Sequence, residues 1–296
     1  MRLCSIFIDG RAEAALSLGN GFLPIKTVNK TFNKNWPVDL FELIINQKLE
    51  EIRAWLNVIG GIETLEQKGG IIPKDKINYG PLYRHPRKIW GIGLNYAEHA
   101  ADLKEVAPNT EPASFMKPDT TIIGPNDRIF IPKQSHRTTA EAELGIIIGQ
   151  KCKDVSESEA PSVIAGFTTI LDMTAEDILE KNPRYLTRAK SFDTFFSFGP
   201  ELVTPDEIDN LSELTVATVI NGKVHRKNTV ANMMFSPWHL VSFHSKVMTL
   251  LPGDIISTGT PGACVIQDGD TVACVIDGFE PLINRVTDLK KRDRLP

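Results

Sequence analysis

Cysteine is scarce in this sequence, with four among 296 residues. The four are scattered and lack the spacing of a metal site. Isolated thiols are typical of a reducing compartment, so we expect a cytoplasmic protein whose cysteines stay reduced. They are Cys4, Cys152, Cys264 and Cys274.

Long apolar runs and basic blocks are also missing. No stretch approaches the roughly 20 apolar residues of a membrane helix, and the apolar N-terminal stretch is too short for a signal peptide. Lysine and arginine, 33 together, are outnumbered by 37 aspartates and glutamates. We therefore expect neither a membrane nor a nucleic acid as a partner.

The composition that remains is that of an ordinary globular protein, 42% hydrophobic and 24% charged. Glycines and prolines concentrated between residues 69 and 86 indicate a linker. We predict a small N-terminal α/β domain over residues 1–85 and a second domain over residues 86–296. Many short strands, few long helices and no regular strand–helix alternation favour an α+β or mostly-β roll for the second domain.

Two glutamates, Glu141 and Glu143, stand at the head of an apolar, β-branched run that predicts a buried strand. Residues i and i+2 of a strand share a face, so both carboxylates would repel each other unless a cation lies between them. Asp172 closes a second apolar run and could supply a third oxygen ligand. With no cysteine or histidine beside them, these ligands suit Mg²⁺ or Mn²⁺. The alternative is an acidic strand edge that faces solvent.

Other side chains could serve such a centre. His99 and Asp102 lie three residues apart on a predicted helix, where the carboxylate could orient the imidazole as a general base. A solvated surface pair is the alternative. Lys190 stands among small and apolar residues, and we favour burial beside the carboxylates over a position in solvent. The loop that contains Thr260 could bind a substrate carboxylate, although a simple turn also explains it.

The order and spacing of several short motifs resemble the fumarylacetoacetate hydrolase (FAH) family, most closely its acylpyruvate hydrolase and oxaloacetate decarboxylase branch. The resemblance extends over residues 88–290, more than two-thirds of the chain. No single motif is specific, but the ordered set is. The motifs are Gly93–His99, Phe115–Pro118, Glu141–Gly145 with Ile148–Gly149, Leu171–Ala175, Ala189–Phe192, Asn221–Gly222, Met233–Ser236 and Gly253–Pro261.

The resemblance implies a mixed β-sandwich roll behind a variable N-terminal domain, and a homodimer. It implies Mg²⁺ or Mn²⁺ as cofactor and a 2-keto or diketo acid as the small-molecule substrate. The implied roles are metal binding by Glu141, Glu143 and Asp172, activation of water by His99 and Asp102 on a lid helix, oxyanion stabilisation by Lys190, carboxylate binding by Thr260, and a place in the pocket wall for Lys117.

The function implied is that of a metal-dependent hydrolase that cleaves a C–C bond of an acylpyruvate-type acid. Water activated by the histidine would attack the distal carbonyl, and the metal would hold the enolate that leaves. Decarboxylation, isomerisation or tautomerisation of oxaloacetate-like acids on the same site is the first alternative. A catalytically silent member that serves as a binding or scaffold protein is the second.

The sequence departs from the family pattern at the lid and at the pocket. The family usually has glutamate three residues after the lid histidine; here Asp102 stands there, with Glu105 one turn further on. Glu176 and Leu179 occupy the positions of a pocket arginine and glutamine. The change at Glu176 alters the local charge by two units, so we expect a smaller, less acidic or partly apolar substrate.

Overall fold

The computed structural model describes residues 1–61, 64–65, 69–102 and 106–292, with Arg292 described by its backbone alone. Two mixed β-sheets with short helices around them form this part of the chain, which confirms the predicted α+β class. Among its helices, none is both long enough and apolar enough to cross a bilayer.

The larger sheet carries the predicted metal ligands. Its main strand order is β3-β2-β1-β11-β9-β8-β14-β4-β5, with β10 beside β9 and β6, and β15 beside β8. The bounds are β1 Arg2–Ile8, β2 Arg11–Leu18, β3 Gly21–Pro24, β4 Ile89–Gly93, β5 Ala113–Lys117, β6 Ile122–Ile123, β8 Thr138–Ile148, β9 Ile164–Ala175, β10 Phe196–Phe198, β11 Glu201–Val203, β14 Ile255–Ser257 and β15 Cys264–Val265.

The smaller sheet has the order β13-β12-β16-β17-β7. Its strands are β7 Arg128–Ile131, β12 Thr215–Ile220, β13 Lys223–Thr229, β16 Thr271–Ile276 and β17 Leu282–Asp288. The sheets enclose one apolar core, which joins Leu144 of β8 to Val216 of β12 and Ile276 of β16. The α-helices are α1 Ile25–Phe32, α2 Leu40–Ile45, α3 Leu49–Val58, α4 Ala97–Asp102, α5 Ala160–Val163, α6 Glu176–Leu179, α7 Leu186–Lys190, α8 Pro237–Val247 and α9 Leu289–Arg292.

The centre of the larger sheet is the antiparallel pair β8 and β9. Every residue of both strands is buried, which explains their long β-branched runs. In their register Glu141 lies opposite Asp172, and Glu143 lies opposite Ile170. This pairing brings carboxylates that are about 30 residues apart in the sequence to one place.

The N-terminal segment shares the larger sheet. β1 pairs with β11 in antiparallel register, from Arg2 opposite Val203 to Cys4 opposite Glu201. One apolar cluster includes Leu3 of this segment and Ile147 of β8. The predicted boundary near residue 85 stays a prediction, but the first strands continue the sheet that bears the carboxylates.

The sequence also predicts a helix N-cap at Asp39, a type I′ hairpin turn at Asn221–Gly222 and a helix cap at Thr174. Asp39 caps α2 by accepting a hydrogen bond from the backbone of Glu42 at 3.0 Å. Asn221 and Gly222 join β12 to β13 with φ values of 51° and 78°, the left-handed values of a type I′ turn. Thr174, which the sequence suggests as a helix cap, belongs instead to β9, because pairing with Thr139 of β8 continues through it.

Candidate metal centre and substrate pocket

The three predicted metal ligands form one buried cluster. A carboxylate oxygen from each of Glu141, Glu143 and Asp172 lies within 4.8 Å of the others. All three side chains are at least nine-tenths buried. The alternative of a solvent-facing acidic edge is therefore wrong: the carboxylates project from the middle of the sheet into its interior.

Two lysines counterbalance these carboxylates. Lys190 Nζ donates to Glu141 Oε2 at 2.9 Å and to Asp172 Oδ2 at 2.8 Å, so this lysine is buried beside the carboxylates as expected. Lys117 Nζ donates to Asp172 Oδ1 at 2.7 Å and also to the backbone carbonyl of Lys190. Burial disfavours the charge of Lys190, but Asp172, Glu141 and Glu143 together keep its pKa above the ordinary value.

Within the described chain, Glu143 is the member of the triad that accepts no hydrogen bond from a lysine. Its Oε2 accepts from the Ser257 hydroxyl at 2.5 Å and from the Gly259 backbone at 2.8 Å. Burial, and then the charges of Asp172 and Glu141, raise its pKa to about 8, although Lys190 and Ser257 oppose the rise. Crowded negative charge of this kind indicates a place for a further cation.

The cluster fits a hard divalent ion. Carboxylate oxygens are the ligands that Mg²⁺ and Mn²⁺ prefer, and three of them converge here. Glu141 is held in place by the Thr174 hydroxyl, which donates to Oε1 at 2.7 Å. Such support orients a ligand before a metal arrives.

His99 is buried within electrostatic reach of this cluster. Loss of solvent lowers its pKa below the ordinary value; Glu141 opposes that shift and Lys190 reinforces it. Its Nδ1 is buried and has no hydrogen-bond partner among the described residues. The imidazole is therefore neutral near pH 7 and has a ring nitrogen available.

Asp102, the predicted partner of His99, has a different partner here. Its Oδ2 lies 3.3 Å from Nη2 of Arg226, and no hydrogen bond joins it to His99 within the described chain. Both residues are on α4, but Asp102 is half exposed whereas His99 is buried. The dyad stays a prediction, and Glu105 lies outside the described residues.

The predicted substrate-binding residues have distinct surroundings. Thr260 is buried, and its hydroxyl lies 3.2 Å from both the backbone nitrogen and the carbonyl of Gly262. Leu179 is half-buried against the main apolar core. The Lys117 side chain is fully buried, and its ammonium donates to Asp172 and to the backbone carbonyl of Lys190. Its place in the pocket wall stays a prediction.

Glu176 is buried and forms an ion pair with Arg137. Arg137 immediately precedes β8, and its carbonyl accepts from the Glu176 backbone at 2.9 Å. The guanidinium offsets the negative charge that Glu176 introduces, which weakens the reason for expecting a less acidic substrate. Sequence reasoning missed Arg137, because nothing local shows that it faces a helix 39 residues further on.

Asn95 anchors the segment that leads into α4, the predicted lid helix, and the sequence did not reveal this role. Its side-chain amide donates to the carbonyls of Thr258 and Phe235 at 2.8 and 3.1 Å and accepts from the Phe235 backbone at 2.9 Å. The sequence predicts it as a helix cap, whereas α4 begins two residues later, at Ala97. Asn95 therefore connects the segment before α4 to the loop that contains Thr260.

A fold of this kind, with a buried carboxylate triad beside a lysine, defines a class of α+β proteins whose acidic cluster could hold a metal ion. The chain belongs to the FAH family: residues 88–287 match the model described as the C-terminal domain of fumarylacetoacetate (FAA) hydrolase. A Dictyostelium discoideum relative, fumarylacetoacetate hydrolase domain-containing protein 2 homolog, is 36% identical over 272 residues, 86% of this chain and 87% of that protein.

Two solved structures confirm the predicted FAH-type fold. The 5-carboxymethyl-2-hydroxymuconate delta-isomerase of Mycobacterium smegmatis is 31% identical, with a TM-score of 0.74 and coverage of 97% of this chain and 99% of that one. The maleylpyruvate hydrolase of Sphingobium sp. SYK-6, solved with manganese(II) and pyruvate, is 26% identical, with a TM-score of 0.79 and the same two coverages. The family includes hydrolases and isomerases, which supports an enzyme.

Proposed function

We propose that this protein is a hydrolase, dependent on Mg²⁺ or Mn²⁺, that cleaves a C–C bond of an acylpyruvate-type keto acid. The observation that carries the proposal is the buried triad of Glu141, Glu143 and Asp172, with the Lys190 ammonium between two of its members. The similarity to a maleylpyruvate hydrolase solved with manganese and pyruvate supports the same chemistry.

The triad would hold the ion, which when bound supplies Lewis-acid polarisation of the substrate's keto group. Lys190 has three N–H donors, two of which bind Glu141 and Asp172. The third has no hydrogen-bond acceptor among the described residues, where the ammonium lies 5.1 Å from the centroid of the Phe115 ring, and it would stabilise negative charge on a substrate oxygen. Burial keeps the Lys190 ammonium in a water-poor environment, where such a donor acts more strongly than it does in water.

The neutral imidazole of His99 would act as the general base. It takes one proton from water while the hydroxide oxygen bonds to the distal carbonyl carbon. The bond between that carbon and the methylene carbon then breaks, and the bonding electrons leave with the pyruvate fragment. Protonation of the methylene carbon releases pyruvate and a carboxylic acid.

An isomerase is the second candidate, favoured by the similarity to 5-carboxymethyl-2-hydroxymuconate delta-isomerase at the higher identity of 31%. Isomerisation needs a proton to move between carbons and no attacking water. The same buried His99 could carry that proton. Decarboxylation of an oxaloacetate-like acid on this site is the third candidate.

The test is a turnover screen with acetylpyruvate, fumarylpyruvate and oxaloacetate, each with Mg²⁺, Mn²⁺ or EDTA, for the wild type and His99→Ala. We expect EDTA-sensitive formation of pyruvate from an acylpyruvate and its loss in the variant. Isomerisation without pyruvate release would select the second candidate. Decarboxylation that survives His99→Ala would identify a lyase, and inactivity on all three acids with either metal would contradict the hydrolase.

We predict that kcat/KM has an acidic limb below pH 6.5 at saturating Mn²⁺. Burial lowers the pKa of His99 from its ordinary value of 6.5, so the base form persists at lower pH than for an exposed histidine. Activity then falls as the pH drops through this lowered pKa. A rate profile with parallel Mn²⁺-binding measurements checks the prediction; an acidic limb above pH 6.5 with the metal still bound would contradict it.

A further inference from the structure

The β12–β13 hairpin presents one arginine, Arg226, to helix α4 and to the loop that contains Thr260. Residue pairing runs regularly from Thr215 opposite Thr229 to Thr218 opposite Arg226, and then shifts, so that Val219 lies opposite Val224. His225 is the extra residue of a β-bulge. Bulges bend a strand and change the direction of the side chains next to them.

Thr218, the residue opposite Arg226 on β12, shows which face of the hairpin Arg226 occupies. Thr218 is fully buried, and its hydroxyl accepts a hydrogen bond at 3.0 Å from the backbone of Ala142, the residue between Glu141 and Glu143. Residues directly opposite each other on paired strands project from the same face. Arg226 therefore leaves β13 on the face that Thr218 turns toward β8.

The side chain of Arg226 lies against the loop that contains Thr260. A Cβ placed on Gly262 would come within 2.6 Å of Arg226 Cδ and 2.7 Å of its Nε, so the guanidinium stem covers that glycine. Gly262 in turn hydrogen-bonds to Thr260, the predicted carboxylate ligand. Arg226 also opposes the effect of burial, which raises the pKa of the nearby Cys264 thiol to about 11.

The ion pair that Arg226 makes is easily exchanged. Its partner Asp102 is half exposed, and the Arg226 side chain is 43% exposed. Exposed pairs of this kind contribute little to stability, because water screens both charges. Lys190, Lys117 and Arg137, by contrast, bind carboxylates that are almost completely buried. Arg226 is thus the cation at this site, within the described chain, that an incoming anion can recruit most easily.

We propose that Arg226 binds a second carboxylate of the substrate, at the end remote from the 2-keto acid group, and so selects dicarboxylic keto acids. This inference rests on the proposed function, which places the keto acid group at the triad. Arginine recognises a carboxylate through two parallel N–H donors, a geometry that lysine cannot reproduce. The predicted preference for less acidic substrates would then be reversed.

The test compares Arg226→Gln and Arg226→Lys with Lys227→Gln, a control at the next residue of the same strand. We expect Arg226→Gln to lower the ratio of kcat/KM for fumarylpyruvate to that for acetylpyruvate by about tenfold to a hundredfold, the size of a lost charged hydrogen bond. Lysine should restore part of the ratio, and Lys227→Gln should leave it unchanged. If the wild type is active and the ratio is unchanged in Arg226→Gln, the inference about Arg226 is overturned and the proposed function is not.

A binding measurement separates this result from a failure of the proposed function. Pyruvate and 2-oxoglutarate share the 2-keto acid group, and only the second has a remote carboxylate. We expect Arg226→Gln to weaken 2-oxoglutarate binding to the Mn²⁺-loaded protein, followed by water proton relaxation, and to leave pyruvate binding unchanged. If neither acid binds to the loaded wild type, both proposals fall. Equal weakening of the two acids would overturn the selection by Arg226 while keeping the keto acid site.

Discussion

Glu143→Gln is expected to abolish metal-dependent turnover, lowering kcat/KM at least about a thousandfold, the size expected from losing several kcal/mol of Lewis-acid stabilisation. Glutamine keeps the shape of the side chain and an oxygen that can accept from Ser257 and Gly259. It removes the charge that completes the triad. Activity assays and Mn²⁺ titration by electron paramagnetic resonance would measure both losses.

Although Glu143→Gln should abolish turnover, it should raise the thermal stability of the metal-free protein at alkaline pH. Burial and neighbouring carboxylates raise the pKa of Glu143 to about 8, far above its ordinary 4.5. Between those two values folding takes up a proton, so the wild type loses stability as the pH rises toward 8. Glutamine cannot ionise, so the metal-free variant should unfold at a higher temperature than the wild type above pH 8 and at a similar one near pH 5.

Glu13→Gln is the matched control, because Glu13 is a buried strand glutamate outside the site, near Lys26. It should bind Mn²⁺ and turn over substrate as the wild type does. Undiminished Mn²⁺ affinity in Glu143→Gln would show that Glu143 is not a metal ligand. Equal losses in both variants would point to a general effect of removing buried carboxylates.

The glutamate pair of the candidate metal site could be predicted from the sequence because the pattern that places both carboxylates on one strand face is local. The alternation of a strand puts Glu141 and Glu143 on one face, and the apolar run beyond them requires burial. Asp172 was harder to place, since its distance from Glu141 depends on the register between β8 and β9. The family resemblance implied Asp172 as a third ligand without giving that register.

The surrounding contacts could not be predicted in the same way. Arg137 meets Glu176, and Arg226 meets Asp102, through tertiary packing that no periodicity encodes. The helix cap assigned to Thr174 failed because the long pairing with β8 outweighs a local capping preference. The two unpredicted ion pairs change the charge around the site, so this charge is the property that the sequence alone determines least well.

The bulge at His225 is another feature that sequence does not reveal. The type I′ turn at Asn221–Gly222 fixes where the hairpin reverses, and it was predicted correctly. The register shift lies only a few residues from that turn, between Thr218 and Val219, and leaves His225 of β13 without an opposite residue. Side-chain direction on β13 therefore required the structure.

The second large effect is expected for Lys190→Met, which should destabilise the metal-free protein by about 3–5 kcal/mol, as for other broken buried ion pairs. The Lys190 ammonium is the group that bridges Glu141 and Asp172. Methionine fills a similar volume but leaves these buried carboxylates facing each other with Lys117 as the remaining lysine in contact. Chemical denaturation in EDTA would measure the loss.

Divalent metal should restore much of that stability, since an ion on the triad supplies the missing positive charge. We therefore expect the rise in Tm on adding Mn²⁺ to be larger for Lys190→Met than for the wild type. Turnover should stay low, because the metal cannot replace the N–H that Lys190 would direct at a substrate oxygen. Stability and catalysis are thereby separated in one variant.

Lys88→Met provides the comparison for this rescue. Lys88 Nζ lies 2.6 Å from Asp254 Oδ2 in a buried pair away from the triad. Losing this lysine should destabilise the protein by a similar mechanism, yet Mn²⁺ should raise its Tm no more than it does for the wild type. A rescue of Lys88→Met as large as that of Lys190→Met would show that the metal stabilises the fold generally. Metal rescue confined to Lys190→Met would show that the ion and the ammonium act on the same cluster of carboxylates.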